Sequence, residues 1–516
     1  MNSYIIRTYR VTARIKKYIL DDLLKDYNVE TKQFFCHVLF GTIHTIKRER
    51  EGWVPVPSKT IQKHWGTRAD IQLSKLQDNN LIELKVFDVI EFSNGEFFEI
   101  TYSKAAGLCR EFRISLKVLD KISAYYPGHL SQYSSSDFYN LMTGNKMNKF
   151  KRHKLTDHTD HPIPPVVKNS ILAIKACRVN QVNIVRFLYD KRKEIEMISR
   201  INPEDPKLQK LRRRFHHNQG CIDKVFCMSN GGKSLGNGLV EYYPSYEMQY
   251  SGRITEMGGG LQSASRELKK AAFSDVPNLY NYDLKSSQVY GLIQWFEVAN
   301  LDCKWLLDYL QRNKKEYADY VEVSVDCWKS LFLSLIMAAH LPSSDKVGKL
   351  IELKEFEEST DSLLRYISTE ATSLQDAVEK YTRFYNLVRP LKIELDKWHS
   401  WLLDCYVPLS SVMAKGKQYI SNKTGATFCL SDFKKADGKW KDILTLKRQL
   451  APFFLQGNEA AFIHHLTWVS EHYSFEIQSN QHDGVVSLGK IPQEAIDYAR
   501  EASGLKYAQL ELKDFC

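Results

Sequence analysis

One stretch constrains the chain more than any other: Tyr280-Asn-Tyr-Asp283-Leu-Lys-Ser-Ser-Gln288-Val-Tyr-Gly-Leu292. A short aromatic and apolar run reads as a strand ending near Asp283. Val289, Leu292, Ile293 and Phe296 then recur at helical spacing. A carboxylate between a strand end and a helix start has its backbone fixed on both sides. The Leu284 carbonyl beside it is available as a second metal ligand. Alone, such an aspartate is more often a helix N-cap. A second acidic stretch, Gln478-Ser-Asn-Gln481-His482-Asp483-Gly484-Val485-Val486, changes that reading. It predicts a β-hairpin over 475–481 and 485–488 with Asp483 at its tip. Two aspartates carried in this way can hold a pair of Mg²⁺ ions about 3.5–4 Å apart, the arrangement for in-line phosphoryl or nucleotidyl transfer. Mn²⁺ suits the same oxygen ligands.

The 516 residues leave room for two to four domains, and 43% hydrophobic content is enough for most of the chain to fold. The net charge of +11 and pI near 8.9 suit a polyanionic partner. Ten scattered cysteines without a C-x-x-C pair, and no secretory apolar region, predict reduced thiols and a cytoplasmic setting. No apolar run reaches the ~18 residues of a membrane span. Arg7, Arg10, Arg14, Lys16 and Lys17 stand in the first twenty residues without an acid. An organellar presequence has that character, and so does an ordinary basic helix.

Residues 1–49 read as helices, with Phe34, Phe35, Val38, Leu39 and Ile43 on one face. Residues 58–65 then read as a short helix, 67–76 as a second, and 81–86 as a strand. Two further runs flank Ser93-Asn94-Gly95-Glu96, a strong hairpin signal. This order resembles a winged helix-turn-helix, whose second helix can enter a major groove. Arg68, Lys75 and Lys63 are its candidate phosphate contacts; a winged helix can also serve protein contacts alone. Pro162, Pro164 and Pro165 make 150–166 a linker, and the histidines His153, His158 and His161 there have no firm metal spacing. Residues 167–215 read as helical and basic, ending in Lys210-Leu-Arg-Arg-Arg214. That run would either grip duplex backbone or form a solvated face. His216, His217, Cys221 and Cys227 cluster at a spacing that fits no common zinc site. Gly232-Lys233-Ser234 ends like a phosphate-binding loop, but Cys227 stands where the first glycine belongs, so the segment reads as a turn.

The C-terminal half resembles the family A (DNA polymerase I-type) polymerases, with motifs in that family's order. Tyr250-Ser-Gly252-Arg253-Ile-Thr resembles T-G-R-L-S, and Gln262 follows Arg253 at the family's spacing. Arg266 to Phe273 resembles R-x-I-R-x-A-F, and Asp283 then stands in motif A. Arg448-Gln-Leu-Ala-Pro-Phe-Phe-Leu-Gln456-Gly457 resembles R-x-x-x-N-A-P-x-Q-G, and His482-Asp483 resembles the H-D of motif C. The resemblance implies an α+β, right-hand polymerase: a palm with an antiparallel sheet, and helical fingers and thumb. With the winged-helix-like pattern and the proline linker, the chain divides into a helical and winged-helix-like DNA-binding domain over 1–149, the linker 150–166, and, by the resemblance, a thumb-like region over 167–250. The palm would comprise 251–291 and 441–516, and the fingers 292–440 with an insertion near 340–380.

By the same resemblance Asp283 and Asp483 are catalytic and, with Leu284, hold the metals. Lys329, Gln288 and Ser287 face the nucleotide. Arg253, Gln262, Arg448, Gln456 and His482 contact primer-template. The fingers match is poor: Val325 stands at the family's arginine and Met337-Ala338 at its aromatic-glycine pair, so Lys314 and Lys315 rival Lys329. Two departures matter. Gln288 replaces the glutamate that excludes a ribose 2′-hydroxyl, and Gly484 replaces the third acid of H-D-E. Nothing in 1–150 resembles a proofreading exonuclease.

The expected function is template-directed nucleotidyl transfer. The chain would be a DNA-dependent DNA polymerase without proofreading, acting as a monomer on primer-template DNA or RNA with nucleoside triphosphates, in replication of a plasmid, phage or other mobile element. The alternatives are a primase or single-subunit RNA polymerase, and a DNA-binding replication initiator with an inactive palm. A nuclease using the same aspartates would leave the other motifs without purpose.

Overall fold

The computed structural model describes residues 10–44, 52–57, 61, 69–86, 88–91, 97–101, 109–126, 132, 137–147, 163–352, 361–435 and 437–515. The chain is a mixed α+β protein. Near the N-terminus the helix Val29–His44 buries Phe34, Phe35, Val38, Leu39 and Ile43, as their spacing predicts. It packs near a three-stranded sheet in which Arg110–Ile114 lies between Val54–Val56 and Ile82–Leu84. The helix Ala69–Asp78, the strand Ile82–Leu84 and the antiparallel pair Asp88–Glu91 with Phe97–Ile100 occupy their expected places. The preceding helix (apart from Ile61), the turn 93–96, Lys63 and Arg68 lie outside the described residues, as does the linker as far as residue 162.

The segment expected to be wholly helical is not. Helices Pro165–Ala173, Gln181–Ile201 and Pro206–Cys227 are interrupted by a strand, Cys177–Asn180, that pairs with Leu239–Tyr242. Ser229–Ser234, read from its glycines as a turn, is the opposite edge strand of that sheet. Its register shifts between Ser229 and Ser234. An irregular edge tolerates a glycine pair that a central strand would not.

The basic run also changes meaning. Helix Pro206–Cys227 starts with Asp205 as its cap and Pro206 in its first turn, and it packs against Val29–His44 and Leu116–Ser123. Arg212 pairs with Asp120, and Arg213, itself buried, reaches Glu83 at 3.2 Å and the Ile114 carbonyl at 3.2 Å. These cations fasten the N-terminal part to the rest of the chain, so the two arginines do not present an open duplex-gripping face. His216 contacts Asp120 at 2.7 Å, and His217 lies between the carbonyls of Ile43 and Ser263. With Cys221 and Cys227 buried, this cluster is packed interior. Among the described residues no group of three His, Cys, Asp or Glu side chains is placed to hold a metal.

The central sheet has four antiparallel strands in the order Glu476–Asn480, Gly484–Leu488, Leu279–Leu284, Leu510–Lys513. Ile477 and Val485 pack with Phe462, Ile463 and Leu466 of the long helix Ile443–Val469, and with Ile496 of Gln493–Ser503. A helical lobe rises from residue 287 to about 410. Its core is aromatic: Trp305, Tyr309, Tyr317, Trp328, Phe332 and Phe384 stack or meet edge to face. Residues 340–380 contribute Val347, Ile351, Leu363 and Ile367 to the same core. Among the described residues no helix is long and apolar enough to cross a membrane.

Candidate active site

The strand Leu279–Leu284 is the centre of the site. On one side Asp283 stands opposite Gly484, and on the other opposite Glu511. The turn Gln481-His482-Asp483 joins the two hairpin strands, with His482 in the left-handed region at φ 74°. The Leu284 N–H donates to the Asp483 carbonyl at 2.8 Å. N–H and C=O of one residue point the same way across an antiparallel ladder, so the Leu284 carbonyl also faces the Asp483 turn. Asp483, distant in sequence, is thereby brought beside Asp283 and the Leu284 carbonyl.

The fit explains Gly484. A Cβ there would lie 2.3 Å from the Tyr282 carbonyl oxygen and 3.2 Å from Asp283 Oδ1. The strand bearing Asp283 passes too close for any side chain after Asp483. On the other side of the strand Glu511 pairs in register with Asp283, where Lys285 and Lys513 engage it.

Electrostatics mark the same place. Burial, then the nearby Asp483 charge, pushes the Asp283 carboxyl up to about 6, with Lys513 and the Leu284 N–H opposing. Burial would also raise Glu511, but hydrogen bonds from Lys513 and Lys285 outweigh it and hold it below the usual carboxylate range. From the helical lobe, Lys314 approaches. It opens the helix Lys314–Val321, capped by Asn313. Burial lowers its pKa, Lys329 and Lys513 lower it further, and Glu511 and Asp283 partly offset them. Lys314 therefore lies within the field of the carboxylates. Lys329 on Val325–Ile336 is half-exposed, 3.5 Å from Asp326.

Behind the aspartates a buried network holds the parts in place. Arg253 donates to Glu459 at 2.5 Å. Burial raises Glu459 to about 7; Arg253 and a hydrogen bond from Ser287 pull it down, and Asp483 pushes it up. Ser287 is buried at the start of Ser287–Val298, and the neighbouring Gln288 Oε1 is buried without a hydrogen-bond partner among the described residues. Lys269, its pKa lowered chiefly by burial, donates to Gln481 Oε1 at 2.5 Å and lies in the field of Asp483.

Gln262, expected on the primer-template, is buried instead. Its amide donates to the carbonyls of Ile254 (3.1 Å) and Asn480 (3.0 Å), and its oxygen accepts from the Glu256 N–H (2.7 Å). With both ends engaged, it fastens the Glu476–Asn480 strand to the Ile254–Glu256 strand. Arg448 is exposed and Gln456 half-buried on the long helix. Lys75 is exposed on Ala69–Asp78, beside Tyr27 and Asn79. Glu459, Glu511, Lys513 and Lys269 also neighbour the aspartates, and the sequence motifs assign them no role there. For Glu459 a signal exists: it is the only acid between Asp442 and Glu471, in an otherwise largely apolar helix.

No family model matches the sequence, and no curated protein matches it. Among solved structures the chain is similar to the POL domain of Pol1 from M. smegmatis, in complex with DNA primer-template and dNTP. The two are 12% identical, with a TM-score of 0.36, over 62% of this chain and 54% of that one. The matched region spans about half the length of that structure. A likeness this slight carries no argument, so the functional reading rests on the geometry of the site.

Proposed function

We propose that the chain is a template-directed nucleotidyltransferase, a DNA-dependent DNA polymerase of the family A type without proofreading, serving replication of a mobile element. The observation that carries this reading is the pairing of Asp283 and Asp483 on a strand and a hairpin turn of one antiparallel sheet, with lysines approaching from a helical lobe. The Asp483 charge helps to raise the Asp283 carboxyl, and a cation beside both would relieve that repulsion. Asp283, Asp483 and the Leu284 carbonyl offer the hard oxygen donors that Mg²⁺ takes. When bound, Mg²⁺ would stabilise the charge on the attacking 3′-oxygen and the leaving pyrophosphate.

The protein's own groups supply the rest. Lys314, Lys329 and Lys513 offset the triphosphate charge. Ser287 and Arg253, through Glu459, hold the helix start that carries Gln288 beside the aspartates. Arg448, Gln456 and His482 face primer-template, and Arg68 and Lys75 serve the winged-helix-like part. A ribonucleotide-using primase or RNA polymerase is the second reading. Gln288 favours it, because its unpaired Oε1 is an acceptor that a ribose 2′-hydroxyl would satisfy.

Extension of a labelled primer on a DNA template, with dNTPs or NTPs and Mg²⁺, tests both. Extension by the parent and its loss in Asp283→Ala and Asp483→Ala is the expected outcome. The nucleotide set that supports it decides between the readings. DNA binding without extension by either set would leave the initiator.

A further inference from the structure

Between the helical lobe and the long helix lies a small antiparallel sheet of Val412–Ala414, Lys417–Ser421 and Thr427–Cys429. Its first two strands pair Val412 with Tyr419, Met413 with Gln418 and Ala414 with Lys417. The turn between them is Lys415-Gly416, both at positive φ (50° and 72°), the tight two-residue connection of a hairpin. Val412–Ala414 is an edge strand, and all three of its residues are exposed. Proteins usually blunt such an edge with charge or proline. Here it is apolar: Val412 is 59% and Met413 69% exposed, with Leu409 just before them at 87%.

The surroundings have the opposite character. Lys415 stands in the hairpin turn and Lys417 on its second strand, Lys434 bonds Gln418 of that strand at 2.8 Å, and Asp432 meets Lys417 at 3.4 Å. An apolar projection on a cationic base fits a nucleic acid: the cations meet phosphates, and the apolar side chains meet base faces at an opened step. The base is firmly seated. Ile420 and Leu430 are fully buried. Asn422 Nδ2 donates to the carbonyls of Ser251 and Phe453, each at 2.9 Å. A Cβ at Gly252 would strike Thr424 Oγ1 at 2.1 Å, so the two turns are in close contact. The next residue, Arg253, bonds Glu459 in the network behind Asp483. The hairpin is thus fixed to the same turn that supports the aspartates.

We propose that this hairpin is a strand-separating wedge: Val412 and Met413 enter the junction where duplex becomes single-stranded, and the surrounding lysines hold the flanking phosphates. The inference rests on the polymerase reading for the duplex the wedge would meet, but it is read out separately. Forked DNA carries 2-aminopurine at the first base pair of the junction, and its fluorescence reports unstacking when protein binds without nucleotides. The same preparations extend a primer on a bare template and on one blocked by a downstream strand. Val412→Ser/Met413→Ser places polar groups at exposed positions, and a thermal melt checks its fold; Lys415→Ala gives a second variant.

The expected result is a fluorescence rise with the parent and its loss in the double variant, with bare-template extension kept and extension through the blocking strand lost. Lys415→Ala should weaken fork binding and flatten its salt dependence. A double variant that still unstacks the fork and passes the blocking strand overturns the wedge. So does a parent that binds the fork without unstacking it. A double variant that only turns a dimer into a monomer assigns the edge to a second copy of the chain, and this too overturns the wedge. Unstacking by a parent that extends no primer overturns the polymerase reading and leaves the wedge standing.

Discussion

Gly484→Ala should damage both the fold and the site, although it adds a single methyl group. The methyl would sit 2.3 Å from the Tyr282 carbonyl oxygen, 3.2 Å from Asp283 Oδ1 and 3.3 Å from Asp283 Cα. Ordinary contacts there exceed 3.4 Å. Two of the three atoms are backbone of the adjacent strand, so no side chain can swing aside; the strands must part by about an ångström or slip. Overpacking of this kind costs about 1–3 kcal/mol. At roughly 2–4 °C per kcal/mol for a sizeable domain, the melting temperature should fall by several degrees. The same displacement moves Asp283 away from Asp483, so primer extension should fall further than stability does. Gly291→Ala is the matched control. Its added methyl meets only side-chain atoms at 3.8 Å, inside the helix Ser287–Val298. It should stabilise by about 0.5–1 kcal/mol through helix propensity. Gly484→Glu, which restores an acid after Asp483, should lose activity and not gain it. Thermal melts and extension assays on the three variants check the signs. If Gly484→Ala melts and extends like the parent, the close approach of the two strands is not what excludes a side chain at that position.

Three further expectations follow from the charges. Asp283 has its folded pKa raised to about 6 by burial and the Asp483 charge, so the folded state binds the extra proton and metal-free stability should fall as pH rises from about 4 to about 6. Asp283→Asn should remove that slope, and Mg²⁺ at neutral pH should raise the parent's melting temperature more than the variant's. Arg253→Ala removes the cation that lowers the pKa of the buried Glu459, so its carboxyl rises further and the variant loses stability as pH climbs above about 7, by at most about 3–5 kcal/mol. Glu459→Gln in the same background should recover part of it, as denaturant melts at pH 8 would read. Lys314→Ala should raise KM for the nucleotide while Lys315→Ala leaves it near the parent value, because Lys314 alone of the two is half-buried and lies in the field of Asp283 and Glu511. Equal effects of the two would remove Lys314 from the triphosphate site.

What could be read in the sequence, and what could not, divides by the range of the interaction. The Asp283 strand, the helix after it and the Asp483 hairpin are local patterns: alternation, helical spacing and a tight turn each specify themselves over about ten residues, and all three stand where those patterns place them. Partners do not specify themselves. A cationic helix has the same spacing whether it meets phosphate or protein, and only the folded chain shows that Arg212 and Arg213 are taken by Asp120 and Glu83. Gln262 illustrates the same limit, since a glutamine after a glycine-rich turn carries no sign of whether its amide faces a groove or is used up between two strands. Strand order decides which acids neighbour Asp283. Read along the chain, Gly484 ends the run of acids and only two carboxylates remain. Read across the sheet, Asp283 has Asp483 at one border and Glu511 at the other, brought there from near the C-terminus by the pairing of Leu510–Lys513. The glycine and the distant glutamate are two consequences of one geometry. The hairpin strand approaches too closely to carry a side chain, and the strand on the far side does not.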